Sequence, residues 1–127
     1  MSLSSALRLA CIVVGALPAL LGQGIGNVAV EVHPANYTGR APARLRFVAH
    51  IELAGARTFN YHWERSDGAK GPVKVVQVKD RQRTITVSEE WQLGAPGQHL
   101  EVWQRIQVNC GNQHVSSDRA MASVNCR

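Results

Sequence analysis

Histidine is the residue type in this sequence best suited to metal binding or proton transfer. The five histidines are His33, His50, His62, His99 and His114. No two of them are spaced as His-x-x-x-His, and none lies beside a Cys-x-x-Cys pair. Alternating sequence around His50 and His62 indicates that both point outward from separate strands. We therefore expect surface histidines, and the sequence predicts neither a metal site nor a cofactor.

A hydrolase needs an activated nucleophile or a pair of carboxylates, and the sequence predicts neither. No serine lies in a Gly-x-Ser-x-Gly elbow. Glu89 and Glu90 are adjacent, so on a strand they face opposite sides and cannot flank one substrate bond. One of the two interrupts an apolar strand face, as expected for an edge strand that resists aggregation. We therefore predict that the protein is not an enzyme and has no catalytic residues.

The elements that position these side chains are strands, because apolar and polar residues alternate along most of the chain. The seven predicted strands cover residues 28–33, 44–53, 59–64, 73–79, 85–93, 100–108 and 117–126. Turn residues such as Ser66, Asp67 and Gly68 separate neighbouring strands. About seven short strands in one small domain are typical of an all-β, antiparallel immunoglobulin-like sandwich.

The N-terminus has the features of a secretory signal peptide. A single positive charge at Arg8 precedes an apolar run over residues 9–21, which is short for a bilayer span and contains Pro18. We expect residues 1–26 to be a cleaved signal peptide and residues 27–127 to form one domain. That domain would be secreted, periplasmic or at the cell surface, with no stable membrane span after cleavage.

Two of the three tryptophans are predicted to pack in the core. Trp63 is in phase with the other aromatic residues of the third strand, and Trp91 lies on the apolar face of the fifth. Trp103 is out of phase with the apolar residues of its strand and lies two positions before Arg105. Two interpretations are open: an exposed platform for a ligand such as a sugar ring, or a ring packed beneath an arginine.

Binding residues in a sandwich domain are expected mainly on loops. Residues 111–117 are predicted to form such a loop, and it is the expected contact surface. The candidate partner surface comprises Trp103, Arg105, Asn112, Gln113 and His114. We expect a non-enzymatic module that binds a protein or a cell-wall polymer. The alternative is a periplasmic or secreted inhibitor that inserts a protruding loop into the active site of a hydrolase.

Basic residues exceed acidic residues, and the formal net charge is +5 at pH 7. Arg44 and Arg46 share an outward strand face. Lys79, Arg81 and Arg83 would share one too if the chain stays extended there. Because the aromatic residues mostly point inward and the protein is predicted to be exported, we do not expect nucleic-acid binding.

Four sequence blocks resemble the successive blocks of small immunoglobulin-like domains in exported bacterial proteins. They are YHWERSDGA at 61–69, TITVS ahead of WQLGAPG at 84–97, WQRIQV at 103–108 and VSSDRA at 115–120. The resemblance implies a binding, adhesion or spacer module without a catalytic apparatus. It also implies a cysteine early in the second strand that pairs with one at the end of the last. Residues 39–42 contain no such cysteine, whereas Cys126 is present.

Cys110 and Cys126 are the cysteines of the predicted mature domain. Two cysteines in an exported chain favour a disulfide. If the last two strands form a hairpin with its tip near 111–117, however, the two lie roughly 25 Å apart, beyond bonding reach. The pairing therefore stays open between an intramolecular disulfide and free or intermolecular thiols. Intermolecular thiols would accompany a homodimer that pairs edge strand to edge strand.

Overall fold

The structure, a computed structural model, describes residues 24–79 and 81–127. This part of the chain contains nine strands and no helix, and so has no helix able to span a membrane. The strands are β1 (Ile25–His33), β2 (Asn36–Gly39), β3 (Ala43–Leu53), β4 (Thr58–Arg65), β5 (Lys74–Gln77), β6 (Thr84–Leu93), β7 (His99–Cys110), β8 (Gln113–Ser116) and β9 (Ala120–Cys126). The prediction of an all-β sandwich is confirmed.

The strands form two sheets that pack face to face. The three-stranded sheet has the order β1-β3-β6, and the larger sheet has the order β2-β9-β7-β4-β5, with β8 paired to β7. All pairings are antiparallel except β2 with β9, which run parallel. β7 thus occupies the middle of the larger sheet, and both faces of this strand matter for the site described below.

The core lies between the sheets and follows the period-two pattern of the sequence. On β3, five alternate residues are completely buried: Ala43, Leu45, Phe47, Ala49 and Ile51. On β4, Phe59, Tyr61 and Trp63 are buried in the same way. Each large apolar side chain contributes about 1.5–3 kcal/mol on burial, so this alternation supplies most of the force that holds the sheets together.

Two strands were not predicted, and each replaces an expected loop or irregular segment. Residues 111–117 do not form a loop: Cys110 pairs with Gln113 across a two-residue turn, and β8 follows at once. Gly111 has φ of 60°, which suits this tight turn. β2 pairs with the end of β9, from Asn36 opposite Ser123 to Gly39 opposite Cys126. Both are four-residue strands, too short to show a clear alternation.

Residues 79–83 do not stay extended, which was the condition for Lys79, Arg81 and Arg83 to share one strand face. β5 ends at Gln77, and the following residues turn back toward β6. Arg81 has φ of 69°, a left-handed conformation that no strand residue adopts. Lys79, Arg81 and Arg83 therefore lie in a turn rather than on one strand face. The region is described on both sides of Asp80, which itself lies outside the described residues.

β6 is an edge strand of the three-stranded sheet, and its two glutamates point to opposite sides. Glu89 pairs with Phe47 and shares its inward side, whereas Glu90 pairs with Arg46 on the exposed face. An inward-pointing charge on an edge strand disfavours pairing with another sheet.

The predicted signal peptide, residues 1–26, falls outside the described residues except for its last three. Those three belong to the sandwich, because β1 begins at Ile25 and the Gly24 carbonyl oxygen accepts hydrogen bonds from the backbone N–H groups of Ala54 and Ala56. The first strand thus begins two residues before the predicted boundary.

Candidate functional site

Trp103 lies on the outer face of the larger sheet because of its phase on β7. Every second residue from Val102 to Cys110 is buried in the core, so Trp103 and Arg105 project from the opposite side. Met121 on β9 is the cross-strand partner of Trp103 and is 56% exposed. The turn that follows β4 is held against Trp103, since the backbone N–H of Trp103 donates to Ser66 Oγ at 3.1 Å.

Two arginines lie against the indole ring of Trp103. The guanidinium carbon of Arg119 is 4.2 Å from the ring centroid, and that of Arg105 is 5.7 Å away. Both distances fall within the range of cation–π attraction. Trp103 is half-buried. Of the two interpretations left open by the sequence, the structure therefore matches a tryptophan packed beneath arginine rather than a bare stacking platform.

The position of Arg119 depends on the break between β8 and β9. Ser117 N–H donates to the Ile106 carbonyl oxygen, and Ile106 N–H donates to Ser117 Oγ, both at 3.0 Å. These two hydrogen bonds interrupt the backbone pairing beside β7, and the chain bulges outward before β9 begins. Arg119, in that bulge, reaches back over Trp103. No sequence pattern indicated this contact.

Arg105 also anchors a half-buried row of charges on the adjacent strand β4. Its Nε donates to Glu64 Oε1 at 2.8 Å, and His62 Nε2 lies 3.1 Å from Glu64 Oε2. The hydrogen bond from Arg105 is the main reason that the pKa of Glu64 is held below its ordinary value. His62 Nδ1 is buried and has no hydrogen-bond partner among the described residues.

We call the set Trp103, Arg105, Arg119 and Met121 the Trp103 surface. Tryptophan, arginine and methionine are enriched at the centres of protein–protein interfaces. Arg119 makes no ion pair with another described residue, so its guanidinium N–H groups are available to an acceptor on a partner. The surface thus combines an ordered aromatic ring, an available cation and an exposed apolar side chain.

The other predicted partner residues do not join this surface. Asn112 is in the β7–β8 turn, and His114 pairs with Asn109, which is six residues along β7 from Trp103, or about 20 Å. Gln113 has a structural role instead: its Oε1 accepts from Ile25 N–H and its Nε2 donates to the Ile25 carbonyl oxygen, both at 2.8 Å. The five residues that were predicted to form one partner surface therefore lie at two separate places on the protein.

The two predicted core tryptophans lie between the sheets. Trp63 is 4% exposed, and Trp91 packs against Phe47 with ring centroids 6.4 Å apart. Arg65 lies over the outer side of the Trp91 ring, 4.4 Å from its centroid. Trp91 therefore closes one end of the core, beneath a cation that itself pairs with Asp67.

Cys110 and Cys126 do not bond to each other, because Cys126 is a free, buried thiol. The strand register explains the separation. Cys110 ends β7, whereas Cys126 lies near the other end of that strand, where its neighbour Asn125 pairs with His99. Cys126 instead faces Gly39, within the segment where the family resemblance implied a partner cysteine.

The remaining histidines are on strand surfaces. His33 and His50 both contact Glu31 on the outer face of the three-stranded sheet, at 2.5 and 3.1 Å. These contacts, that of His33 above all, lower the pKa of the Glu31 carboxyl. Within residues 24–79 and 81–127, no group of three histidine, cysteine or acidic side chains has the geometry of a metal site.

Comparisons with known proteins identify the fold. No family model matches the sequence, and no curated protein is similar enough to count as a relative. Among solved structures, the chain is similar to the CARDB domain of the PF1109 protein from Pyrococcus furiosus, crystallised in complex with di-metal ions. The TM-score is 0.50 at 13% sequence identity, covering 82% of this chain and 90% of that one.

The chain is also similar to a second solved structure, that of the alkylpurine DNA glycosylase AlkC from Pseudomonas fluorescens, bound to DNA containing an abasic site analog. The TM-score is 0.47 at 14% identity, covering 84% of this chain but only 32% of the glycosylase. Together with the strand order described above, the CARDB likeness shows the fold of this chain: an immunoglobulin-like β-sandwich.

Proposed function

We propose that the protein is an exported, non-enzymatic immunoglobulin-like module that binds a partner at or outside the cell surface. The Trp103 surface is the contact for a protein partner. The observation that carries this assignment is the indole ring of Trp103, held against Arg105 and Arg119 beside the exposed side chain of Met121.

The arrangement favours a protein partner over a stacked sugar ring. Arg119 already covers part of the indole, so a sugar would have to displace this guanidinium before it could stack. A protein loop with a carboxylate or a carbonyl oxygen can instead accept hydrogen bonds from Arg119 while it packs on Met121. Because Glu64 and Ser66 hold Arg105 and the backbone of Trp103, little ordering entropy would be lost on binding.

Export rests on the sequence of residues 1–26, with its basic start and short apolar run. The non-enzymatic assignment rests on the lack of a nucleophile elbow or a carboxylate pair in the sequence. An ordered, protruding loop would favour the hydrolase-inhibitor alternative, but Cys110 pairs with Gln113 across a two-residue turn and β8 follows. The described residues at 111–117 therefore do not supply the loop that would favour the inhibitor.

Site-specific photo-crosslinking in the native host tests the surface. A photo-reactive amino acid replaces Met121, and a matched control replaces Glu90, which is exposed on the outer face of the other sheet. We expect a discrete protein adduct from position 121 that is absent from position 90 and is lost when Trp103→Ala or Arg119→Ala is added. Equal adducts from both positions, or adducts unaffected by Trp103→Ala, would contradict the assignment.

Intact mass and N-terminal sequencing of the protein from culture medium, envelope and cytoplasm test export separately. We expect a form shortened near residue 24 outside the cytoplasm. An uncleaved cytoplasmic chain would contradict export without bearing on the Trp103 surface.

A further inference from the structure

A second surface lies at one end of the sandwich, away from Trp103. It is formed by the end of β3 with the residues that follow it, and by the turn between β5 and β6. Residues 53–55 and 81–83 line an open depression of about 620 Å³. We call this depression and the cations around it the basic end.

Arg81 and Arg83 line the depression, and two further exposed cations, Arg57 and Lys79, are linked to the same turn through their carbonyl oxygens, which accept from Val78 N–H and Gln82 N–H. None of them makes an ion pair with a described residue. Arg65 and Arg105, by contrast, each pair with a carboxylate. The sequence between Lys79 and Arg83 contains one acidic residue against three basic ones, so the segment keeps a net positive charge.

Hydrogen bonds fix the backbone of the turn, and with it the positions from which the side chains of Arg81 and Arg83 project. Gln82 closes the turn twice, because its Oε1 accepts from Lys79 N–H at 3.0 Å and its own N–H donates to the Lys79 carbonyl oxygen at 3.2 Å. The Arg83 carbonyl oxygen accepts from Leu53 N–H at 2.7 Å. Arg81 sits between these ties at φ of 69°, a conformation that costs an arginine free energy. Strained positions of this kind recur at ligand-binding sites.

The chemistry of the lining selects the class of ligand. A guanidinium group presents paired N–H donors that match the oxygens of a phosphate or carboxylate. Each phosphate of a phosphodiester chain presents two non-bridging oxygens that one guanidinium fork can bind, so Arg81 and Arg83 can pair with successive phosphates of a chain that repeats them. The depression is open rather than enclosed, which suits a chain that passes across it. The large exposed apolar side chains of the described residues, Val73, Val75 and Met121, do not line it.

We propose that the basic end binds the repeated phosphate groups of an anionic polymer, with Arg81 and Arg83 as the principal contacts. This site is separate from the Trp103 surface, and the proposal does not depend on the protein partner assigned there.

Calorimetric titration of the purified protein tests this site with three probes: a poly(glycerol phosphate) chain, inorganic phosphate, and vesicles of phosphatidylglycerol in phosphatidylcholine. The test variant is Arg81→Gln with Arg83→Gln. The matched control is Arg44→Gln with Arg46→Gln, which removes the same charge at the same spacing from the exposed face of β3. We expect the test variant to bind the polymer at least about tenfold more weakly and the control to change affinity less than about twofold.

Inorganic phosphate should compete with the polymer, and Trp103→Ala should leave polymer binding unchanged. Equal losses in the test and control variants would overturn the proposal, since they would show attraction to net charge alone. Stronger binding to phosphatidylglycerol vesicles than to the polymer would overturn it in favour of a lipid surface. Failure of the wild-type protein to bind the polymer would also overturn it.

A second variant, Arg81→Lys with Arg83→Lys, keeps the charge but removes the paired donors, and it serves if the glutamine variant unfolds. We expect this lysine variant to keep the wild-type thermal midpoint and to lose about fivefold or more in polymer affinity, because two bidentate contacts become point-charge contacts. Wild-type affinity in the lysine variant would refute recognition through the arginine forks.

Discussion

The interior between the sheets and the outer face of the larger sheet each hold a tryptophan, in opposite surroundings. Trp63 is 4% exposed and lies among the buried apolar residues of the core. Trp103 is half-buried, and two guanidinium groups lie against its ring. The strands that carry them, β4 and β7, are paired neighbours in the same sheet.

The difference shows that the inward side of one sheet determines stability, while its outward side is free to serve the binding proposed for the Trp103 surface. Inward residues are fixed by close packing, so any change in volume there alters the free energy of unfolding. Outward residues are ordered by ion pairs and cation–π contacts, each of which contributes only about 0.5–1 kcal/mol at an exposed site. The outer face can therefore present an ordered ring and a cation to a partner while contributing little to the stability of the fold.

The largest effect is expected from Trp63→Ala. Removing this buried ring should lower the free energy of unfolding by about 3–5 kcal/mol, because it leaves a large cavity between the sheets. Trp103→Ala is the contrasting variant and should cost about 1 kcal/mol. Urea unfolding of both variants measures the difference. Equal losses in the free energy of unfolding would contradict the conclusion that the interior contributes more to stability than the outer face does.

The next largest loss in the free energy of unfolding is expected from Gly94→Ala, a substitution at one end of the interior. A Cβ at this position would lie 2.6 Å from Cys126 Sγ, and φ of 98° disfavours any side chain. We expect a loss of about 2–4 kcal/mol from strain and overpacking together.

The matched control is Gly97→Ala, which has φ of 84° and no heavy atom within 4 Å of the added Cβ. It should cost only the backbone strain, about 1–2 kcal/mol. Adding Cys126→Ala should recover part of the loss in Gly94→Ala and none of the loss in Gly97→Ala. Thermal unfolding of the five proteins decides between steric and conformational causes.

The interior was the more predictable of the two regions, for a physical reason. A buried strand face must alternate with its exposed face, so Phe47, Trp63 and Ile106 could be assigned to the core from phase alone. The fold class followed from the number and spacing of such strands. β2 and β8 were missed because four residues are too few to show a period, and because β2 depends on a parallel partner 87 residues later in the chain.

The outer face was less predictable because its contacts depend on tertiary structure. Trp103 stood out in the sequence as out of phase, and Arg105 two residues later was a visible neighbour. Arg119 contacts the ring only because of the break between β8 and β9, and Gln113 contacts Ile25 across 88 residues. Neither contact leaves a local pattern, so the sequence suggested one surface where the structure has two.

Gln104 provides a finer test, since it is the polar exception in the interior. It is completely buried, and neither its Oε1 nor its Nε2 has a hydrogen-bond partner among the described residues. Replacing an unsatisfied buried amide with an apolar side chain of similar shape should be favourable. We expect Gln104→Met to raise the free energy of unfolding by about 1–2 kcal/mol. Lower stability in urea would show that the amide contributes an interaction the interior needs.

The smallest effect is expected from Glu64→Gln, which tests the charged row on the outer face. At neutral pH the variant should be less stable by about 0.5–1 kcal/mol, because it replaces the ion pair with Arg105 by a neutral hydrogen bond. The pKa of Glu64 is lowered in the folded protein, so its stabilising contribution is present above the unfolded pKa of about 4.3 and is lost as pH falls through the folded value.

Urea unfolding between pH 3 and pH 7, in steps of about half a unit, measures this dependence. The difference between wild type and Glu64→Gln should be constant above about pH 5 and should shrink below about pH 4. Glu90→Gln, on the exposed face of β6 and without an ion pair to a described residue, should change stability by less than about 0.5 kcal/mol. A Glu64→Gln difference that persists unchanged at pH 3 would mean that the side chain acts by packing, as interior residues do, and the contrast between the two regions would not extend to the row beside Trp103.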